Sequence, residues 1–205
     1  MGICRHCGQK AGIFSSVHSE CQNKYEKGVS DFTSVLRAYF FGGGAMSDIL
    51  RAKTNLRSTA YLKDEDVCNI SRNVVAEYVD KLKMPYTPDV VNKMDSFLNS
   101  IGVPFAQFNA TGVVDGFSRK IVGGYMVDYF LDKVPLVQAK ANCARLLQLF
   151  PLDSSEIQNA YLSVLDKAAR NFLKNGFLSP SEKVKIDDYV TELGLQVNNL
   201  PAQFQ

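Results

Sequence analysis

The sequence predicts a mostly α-helical protein with a small cysteine-rich segment at its N-terminus. Apolar residues recur at helical spacing through most of the 205 positions, helix start and stop signals divide the chain, and alternating strand patterns are scarce. Three of the five cysteines and both histidines lie in the first 21 positions. We therefore expect a short N-terminal segment of special chemistry that continues into a long helical region.

Composition narrows the function classes. The formal net charge is +2, so no overall electrostatic attraction to nucleic acid or to an anionic membrane is expected. No apolar run approaches the roughly 20 residues of a membrane span, and the N-terminus lacks the apolar core of a signal peptide. We expect a cytoplasmic protein, in which five cysteines indicate a metal site or free thiols rather than disulfides.

The first motif consists of two pairs of potential metal ligands, Cys4-x2-Cys7 and His18-x2-Cys21, with ten residues between the pairs. Cysteines two residues apart can both turn inward from a tight turn, and Gly8 suits the positive φ that such a turn often needs. Ser15 or Ser16 is a good N-cap for a helix whose first turn would present His18 and Cys21 on one face. His6 is expected to point outward, because adjacent residues of a tight turn cannot easily face the same metal ion.

These four side chains predict a Cys3His site for one structural Zn²⁺ ion. Thiolates and imidazole are the ligands zinc prefers, and four protein ligands leave no open position for a catalytic water. Two alternatives stay open: a Cys4/Cys7 redox pair, which would need a preceding strand, and chance clustering.

A tight turn, a short connection and a helix that supplies the last two ligands resemble a treble-clef zinc finger. The resemblance covers residues 4 to about 27, with Cys4, Cys7, His18 and Cys21 at the four ligand positions. It implies a zinc-finger domain over residues 1–27 that continues into a helical domain over 28–195, followed by a tail over 196–205.

The helical region is divided by clear signals. Gly28 is expected to loosen the first helix, which resumes through "SDFTSVLRAYFF" and ends at the glycines 42–44. Ser47 is expected to cap the second helix, while Asp153 with Glu156 and Ser179 with Glu182 have capping-box spacing. The later helices are predicted at 64–83, 88–101, 111–132, 136–149, 154–175 and 180–194.

Two helical hairpins, 64–103 and 154–195, have similar sequences, which indicates either a weak internal repeat or the resemblance that any two capped amphipathic helices share. "YTPDVVNKMDSFLNSIGV" from Tyr86 matches "LSPSEKVKIDDYVTELGL" from Leu178 at a constant offset of 92 residues. The second hairpin, through "KNGFLSPSE", resembles the helix–DGxLSxxE–helix pattern of the TerB-like tellurite-resistance family, although Asn175 replaces the family's aspartate. The resemblance implies helical-hairpin architecture and not the acidic metal binding known in that family.

The remaining residues favour a binding protein over an enzyme. His18 is assigned to the metal, so no nucleophile–base pair can be built from histidine, and we predict no catalytic residues. The favoured function is a non-enzymatic interaction or adaptor protein whose partner is another protein or a second copy of the chain. The alternative is a nucleic-acid-binding protein that uses the finger and a basic helix, with contacts from Arg5, Lys10, Lys24, Arg51, Lys53 and Arg57.

Overall fold

The computed structural model describes residues 2–12 and 15–196, apart from the side chain of Asn175. The predicted C-terminal tail, 196–205, lies outside the described residues except for Gln196. The described chain confirms the mostly α fold: it contains nine α-helices and no strand, and its only β pairing is an isolated antiparallel bridge between Ile3 and Lys10. None of the described helices is both long and apolar enough to cross a bilayer.

The helices follow one another with short connections. In chain order they are α1 Ser19–Phe41, α2 Met46–Thr59, α3 Asp64–Lys81, α4 Pro88–Ile101, α5 Phe105–Phe108, α6 Val113–Phe130, α7 Leu136–Leu149, α8 Ser154–Phe172 and α9 Pro180–Glu192, with 3₁₀ turns at Asn109–Thr111 and Leu173–Asn175.

The short helix α5 was not predicted, and α6 begins at Val113 rather than at 111. The predicted caps of the first two helices are wrong. The first helix begins at Ser19 with His18 at its N-cap position, so neither Ser15 nor Ser16 caps it. The second begins at Met46, which places Ser47 inside the helix, and Asp48 instead accepts a hydrogen bond from the Ala45 backbone N–H. The predicted caps of α8 and α9 are confirmed: the Asp153 carboxylate and the Ser179 hydroxyl each accept the N–H three residues later.

The chain forms two compact units. One comprises Met1–Leu82 and Asp89–Val113, and the other comprises Lys83–Pro88 and Val114–Gln205. The first unit contains α1 to α3, nearly all of α4, and α5, and the second contains nearly all of α6 and α7 to α9. These units do not test the predicted boundary between a zinc-finger domain, 1–27, and a helical domain, 28–195, which stays a prediction.

The core of the first unit is built on α1, which packs against α2 and α3. Phe40 on α1 lies 5.0 Å, ring to ring, from Phe97 on α4 and 4.8 Å from Tyr78 on α3. Phe97 is fully buried and also packs edge-on against Phe108. Burial of each such ring contributes roughly 2–3 kcal/mol, so these aromatics hold the helices of the unit together.

Gly28 is the reason why α1 can approach the end of α2. The predicted loosening of the helix at Gly28 is wrong, because α1 runs without interruption through this position. A Cβ atom at Gly28 would overlap the Ala60 side chain, so only glycine permits this close contact. The glycine therefore serves helix packing rather than helix ending.

The second unit repeats the first. α7 begins 90 residues after α2 (Leu136 and Met46), α8 begins 90 residues after α3 (Ser154 and Asp64), and α9 begins 92 residues after α4 (Pro180 and Pro88). The repeat thus extends beyond the predicted hairpins to a whole four-helix arrangement, and a two-residue insertion before α9 explains the offset of 92.

Matching contacts support the repeat. The Tyr39 hydroxyl donates to the Lys93 carbonyl at 3.1 Å, and the Tyr129 hydroxyl donates to the Lys185 carbonyl at the same distance. Each tyrosine precedes a phenylalanine whose ring packs on an aromatic of the last helix, Phe97 in one unit and Tyr189 in the other.

Candidate metal centre

The first two candidate ligands lie on a tight turn. The Cys4 N–H donates to the Gln9 carbonyl at 2.8 Å, and the Gly8 N–H donates to the Cys4 carbonyl at 2.9 Å. Gly8 has a φ of +72°, the left-handed conformation that its position after Cys7 predicts. The turn therefore closes on itself and holds Cys4 and Cys7 on one side.

The second two ligands lie where the chain enters α1. His18 occupies the N-cap position with extended backbone (φ −79°, ψ 137°), and Cys21 is in the first turn of the helix. Ahead of them, the Ser15 hydroxyl accepts the Val17 N–H at 3.2 Å and donates to the Val17 carbonyl, which forms a local turn. This turn, rather than a serine cap, sets the direction in which the chain enters the helix.

The four side chains converge on one point. The ligand atoms of Cys4, Cys7, His18 and Cys21 all lie within 4.8 Å of one another. His18 Nδ1 is 3.3 Å from Cys7 Sγ and 3.7 Å from Cys21 Sγ. Metal–sulfur and metal–nitrogen bonds of about 2.3 and 2.1 Å at a tetrahedral angle would separate these atoms by about 3.6 Å. The cluster is close enough to hold a metal ion.

A backbone carbonyl fixes the histidine ring. His18 Nε2 lies 3.0 Å from the Lys10 carbonyl oxygen. A carbonyl only accepts hydrogen bonds, so Nε2 carries a proton, and in the neutral imidazole that binds metals the Nδ1 lone pair faces the thiols. Ligating histidines in metalloproteins usually have such an outer partner, which orients the ring and makes it a stronger ligand.

The protein treats the thiols unequally. The Cys7 backbone N–H, with smaller contributions from those of His18 and His6, lowers the pKa of Cys4 to about 6 against the opposing effect of burial. Burial instead raises the pKa of Cys21. Without a metal, the fold therefore favours the thiolate form of Cys4, the form that binds metals, and disfavours that of Cys21.

Four aromatic or polar side chains lie beside the ligand segments. The Tyr61 hydroxyl lies 3.9 Å from Cys21 Sγ. The His6 ring lies 4.7 Å from the Tyr25 ring at a tilt of 30°, and its Nε2 is 3.1 Å from the Gln22 side-chain oxygen. Among the described residues, the metal-ligand group includes His18 and not His6, as the sequence predicts. Tyr61 was not predicted, because no sequence motif marks it.

The predicted nucleic-acid contacts are distributed over the N-terminal segment and α2, and several have partners within the chain. The Arg5 guanidinium donates to the Gln22 side chain, and Lys24 pairs with Glu20 at 2.7 Å.

On α2, Arg51 pairs with Asp48 at 2.8 Å, and Arg57 pairs with Asp64. Lys53 is partly buried, donates to the Ile101 carbonyl, and has its pKa lowered by burial. The structure does not test whether these residues or Lys10 touch nucleic acid, so this role stays a prediction.

In the hairpin that resembles the TerB-like family, the glutamate of the motif caps a helix. The Glu182 carboxylate accepts hydrogen bonds from the N–H and the hydroxyl of Ser179, at 2.8 and 2.7 Å. Gly176 has a φ of +83° and allows the chain to reverse direction between α8 and α9. This carboxylate stabilises the start of α9.

Comparisons with protein-family models, with curated proteins and with solved structures find no match to this chain.

Proposed function

We propose that Cys4, Cys7, His18 and Cys21 bind one Zn²⁺ ion and that the ion is structural. The observation that carries the proposal is the convergence of the four ligand atoms within 4.8 Å from two separate segments, the turn and the start of α1. Three thiolates and one imidazole form a soft donor set that suits zinc better than magnesium or calcium. Four protein ligands complete the coordination shell, so no position remains for a reacting water.

The arrangement supports a treble-clef reading of the N-terminus. A closed turn supplies two ligands, and the entrance to a helix supplies the other two, in the order that this class of zinc finger uses. When bound, zinc would cross-link the turn to α1 and add the free energy of metal binding to folding. Because Phe32, Leu36 and Phe40 of the same helix are buried in the first unit, the cross-link would stabilise the N-terminal segment against that unit.

We propose further that the zinc-stabilised protein is a binding or adaptor module rather than an enzyme. The candidate ligand set supports this, because four protein ligands leave no position for a reacting water. Exposed apolar side chains that a partner could cover include Ile3 on the turn, which is 66% exposed, and Phe177, which is 70% exposed. The proposed partner is a protein or a second copy of the chain. Sedimentation velocity over a range of concentrations distinguishes the two, since only self-association raises the mass of the purified chain.

Metal content with a matched pair of histidine variants tests the zinc site. The full chain, purified without added metal, is expected to carry one zinc by elemental analysis and native mass spectrometry. His18→Ala should lose the zinc and melt at a lower temperature, whereas His6→Ala, which removes the same side chain from the same segment, should retain one zinc. Zinc-free wild type with a mass two hydrogens short would overturn the proposal and favour a Cys4–Cys7 redox pair.

A further inference from the structure

A cleft lies between α6 and α8 within the second unit. Its volume is about 430 Å³, within the range of small-molecule sites. The floor is apolar and made of small residues: Gly123, Gly124, Val127, Ala160 and Val164. The size and the apolar floor are suited to a ligand body of one or two rings.

The repeat supplies an internal comparison. A smaller cleft of about 220 Å³ lies between α1 and α3 in the first unit. Each residue that lines it has its counterpart 90 positions later among the residues that line the larger cleft. The two clefts therefore occupy the same place in the two repeats, and their lining residues can be compared position by position.

Loss of side-chain volume accompanies the larger cleft. Thr33 in the first unit corresponds to Gly123 in the second, and the buried Ile70 corresponds to Ala160. Both exchanges remove methyl or larger groups from the lining. The larger side chains of the first unit leave a cleft of about half the volume found in the second.

The charge differs as well. In the first unit, Arg37 pairs with Glu77 at 2.8 Å across the groove. Their counterparts in the second unit are Val127 and Lys167, so the salt bridge is absent and a cation replaces the acid. Lys120 and Arg119 also line the larger cleft, and Arg119 pairs with Glu156. Among the described residues that line this cleft, none is acidic.

One wall of the cleft is aromatic. Tyr86, from the segment Lys83–Pro88 of the same unit, packs against Gly124 so closely that a Cβ atom there would overlap its ring. Burial raises the pKa of Tyr86, so its hydroxyl stays protonated and neutral around pH 7. The ring offers a flat apolar surface beside the basic side chains.

We propose that the α6–α8 cleft binds a small organic anion, with its apolar body on the floor beside Tyr86 and its phosphate or carboxylate group near Lys167. Charge complementarity selects the anion, and the small residues at positions 123 and 160 provide the space for its body. The metal has no part in this site, because all the lining residues belong to the second unit. Failure of the zinc proposal would leave the inference unchanged.

The test uses the full chain and the probe 2-naphthyl phosphate, with 2-naphthol as the uncharged control, in isothermal titration calorimetry. We expect binding of the phosphate with a Kd below about 1 mM and at least about tenfold weaker binding of the naphthol. Lys167→Glu, which introduces the residue of the first unit, should weaken phosphate binding at least about tenfold. Lys174→Glu makes the same charge change at an exposed position outside the cleft and should leave the Kd within about twofold.

A second variant tests the space rather than the charge. Gly123→Thr/Ala160→Ile restores the larger side chains of the first unit and should abolish binding of both probes, while circular dichroism melting reports whether the helices remain folded. The inference is overturned if wild type binds neither probe at about 1 mM, if naphthol binds as tightly as the phosphate, or if Lys167→Glu and Lys174→Glu weaken binding equally.

Discussion

The hydroxyl of Tyr61 lies 3.9 Å from Cys21 Sγ, and Tyr61 holds a backbone φ of 60°. A left-handed conformation costs a non-glycine residue about 1 kcal/mol or more, so other contacts must stabilise it. The strained residue is in the connection between α2 and α3, and its side chain reaches a candidate metal ligand. Its counterpart 90 positions later is Pro151, which has no polar side chain. The two connections therefore differ at this position: in the first repeat it carries a tyrosine beside the Cys3His cluster, and in the second it carries a proline.

Tyr61→Phe is expected to weaken zinc binding about threefold to tenfold. In the metal-free chain the Cys21 thiol donates to the Tyr61 oxygen, whereas a zinc-bound Cys21 thiolate would accept the phenol O–H, which phenylalanine lacks. Competition with a chromophoric chelator measures the affinity. Tyr25→Phe is the control: its hydroxyl donates to Asp66 at 2.6 Å rather than to a candidate ligand, so its loss should leave zinc affinity unchanged. Equal affinity in wild type and Tyr61→Phe would contradict a role of the phenol at the metal centre.

Gly28→Ala should destabilise the protein by about 1–3 kcal/mol, although alanine is the better helix former, because the new methyl group overlaps Ala60. Urea unfolding measures the change. Ala60→Gly combined with Gly28→Ala should recover part of the loss. Gly116→Ala, where the nearest atom is the end of the flexible Arg119 side chain, should be neutral or stabilising. If both alanine variants behave alike, the close approach of α1 to the end of α2 is not what constrains Gly28.

Ser179→Ala should cost about 1 kcal/mol at pH 7 through loss of the α9 cap, and the cost should depend on pH. Hydrogen bonds from the Ser179 hydroxyl and N–H hold the pKa of Glu182 below its ordinary value of 4.5. A lowered folded-state pKa adds stability above about pH 4.5 that is lost as the pH falls through the folded value.

The difference in unfolding free energy between wild type and Ser179→Ala should therefore narrow between pH 6 and pH 3. Urea unfolding at several pH values follows it, with Glu182→Gln as the variant that lacks the titrating group. A difference that stays constant over this range would show that the carboxylate contributes nothing to the cap.

The nucleic-acid hypothesis predicts an affinity that falls steeply with salt and falls further in Arg51→Ala/Arg57→Ala. Because both arginines pair with aspartates in the chain, we expect no binding tighter than weak non-specific association, with a Kd of about 10⁻⁴ M, at physiological salt. Fluorescence anisotropy with labelled single- and double-stranded DNA and RNA measures it. Salt-dependent binding in the micromolar range would favour nucleic acid over the proposed protein partner.

The sequence by itself determined the helices and the candidate ligands, because both depend on residues close together in the chain. Apolar spacing and the caps at Asp153 and Ser179 predict helices from local hydrogen bonds and from the face each helix must bury. The spacing of Cys4, Cys7, His18 and Cys21 likewise needs only one turn and one helix entrance to bring four ligands together. Helix starts were predicted less well, since His18, and not a serine, occupies the N-cap position of α1.

Tertiary structure alone decided the features that join distant segments. From the sequence, Gly28 is interpreted as a helix breaker, and only its contact with Ala60 shows its packing role. Nothing in the sequence marks Tyr61, and only the fold brings its hydroxyl beside Cys21. The open cleft depends on two small residues, Gly123 on α6 and Ala160 on α8, and only tertiary packing brings these two helices face to face. Propensity and capping act over a few residues, whereas close packing and shared cavities depend on which surfaces meet after the chain has folded.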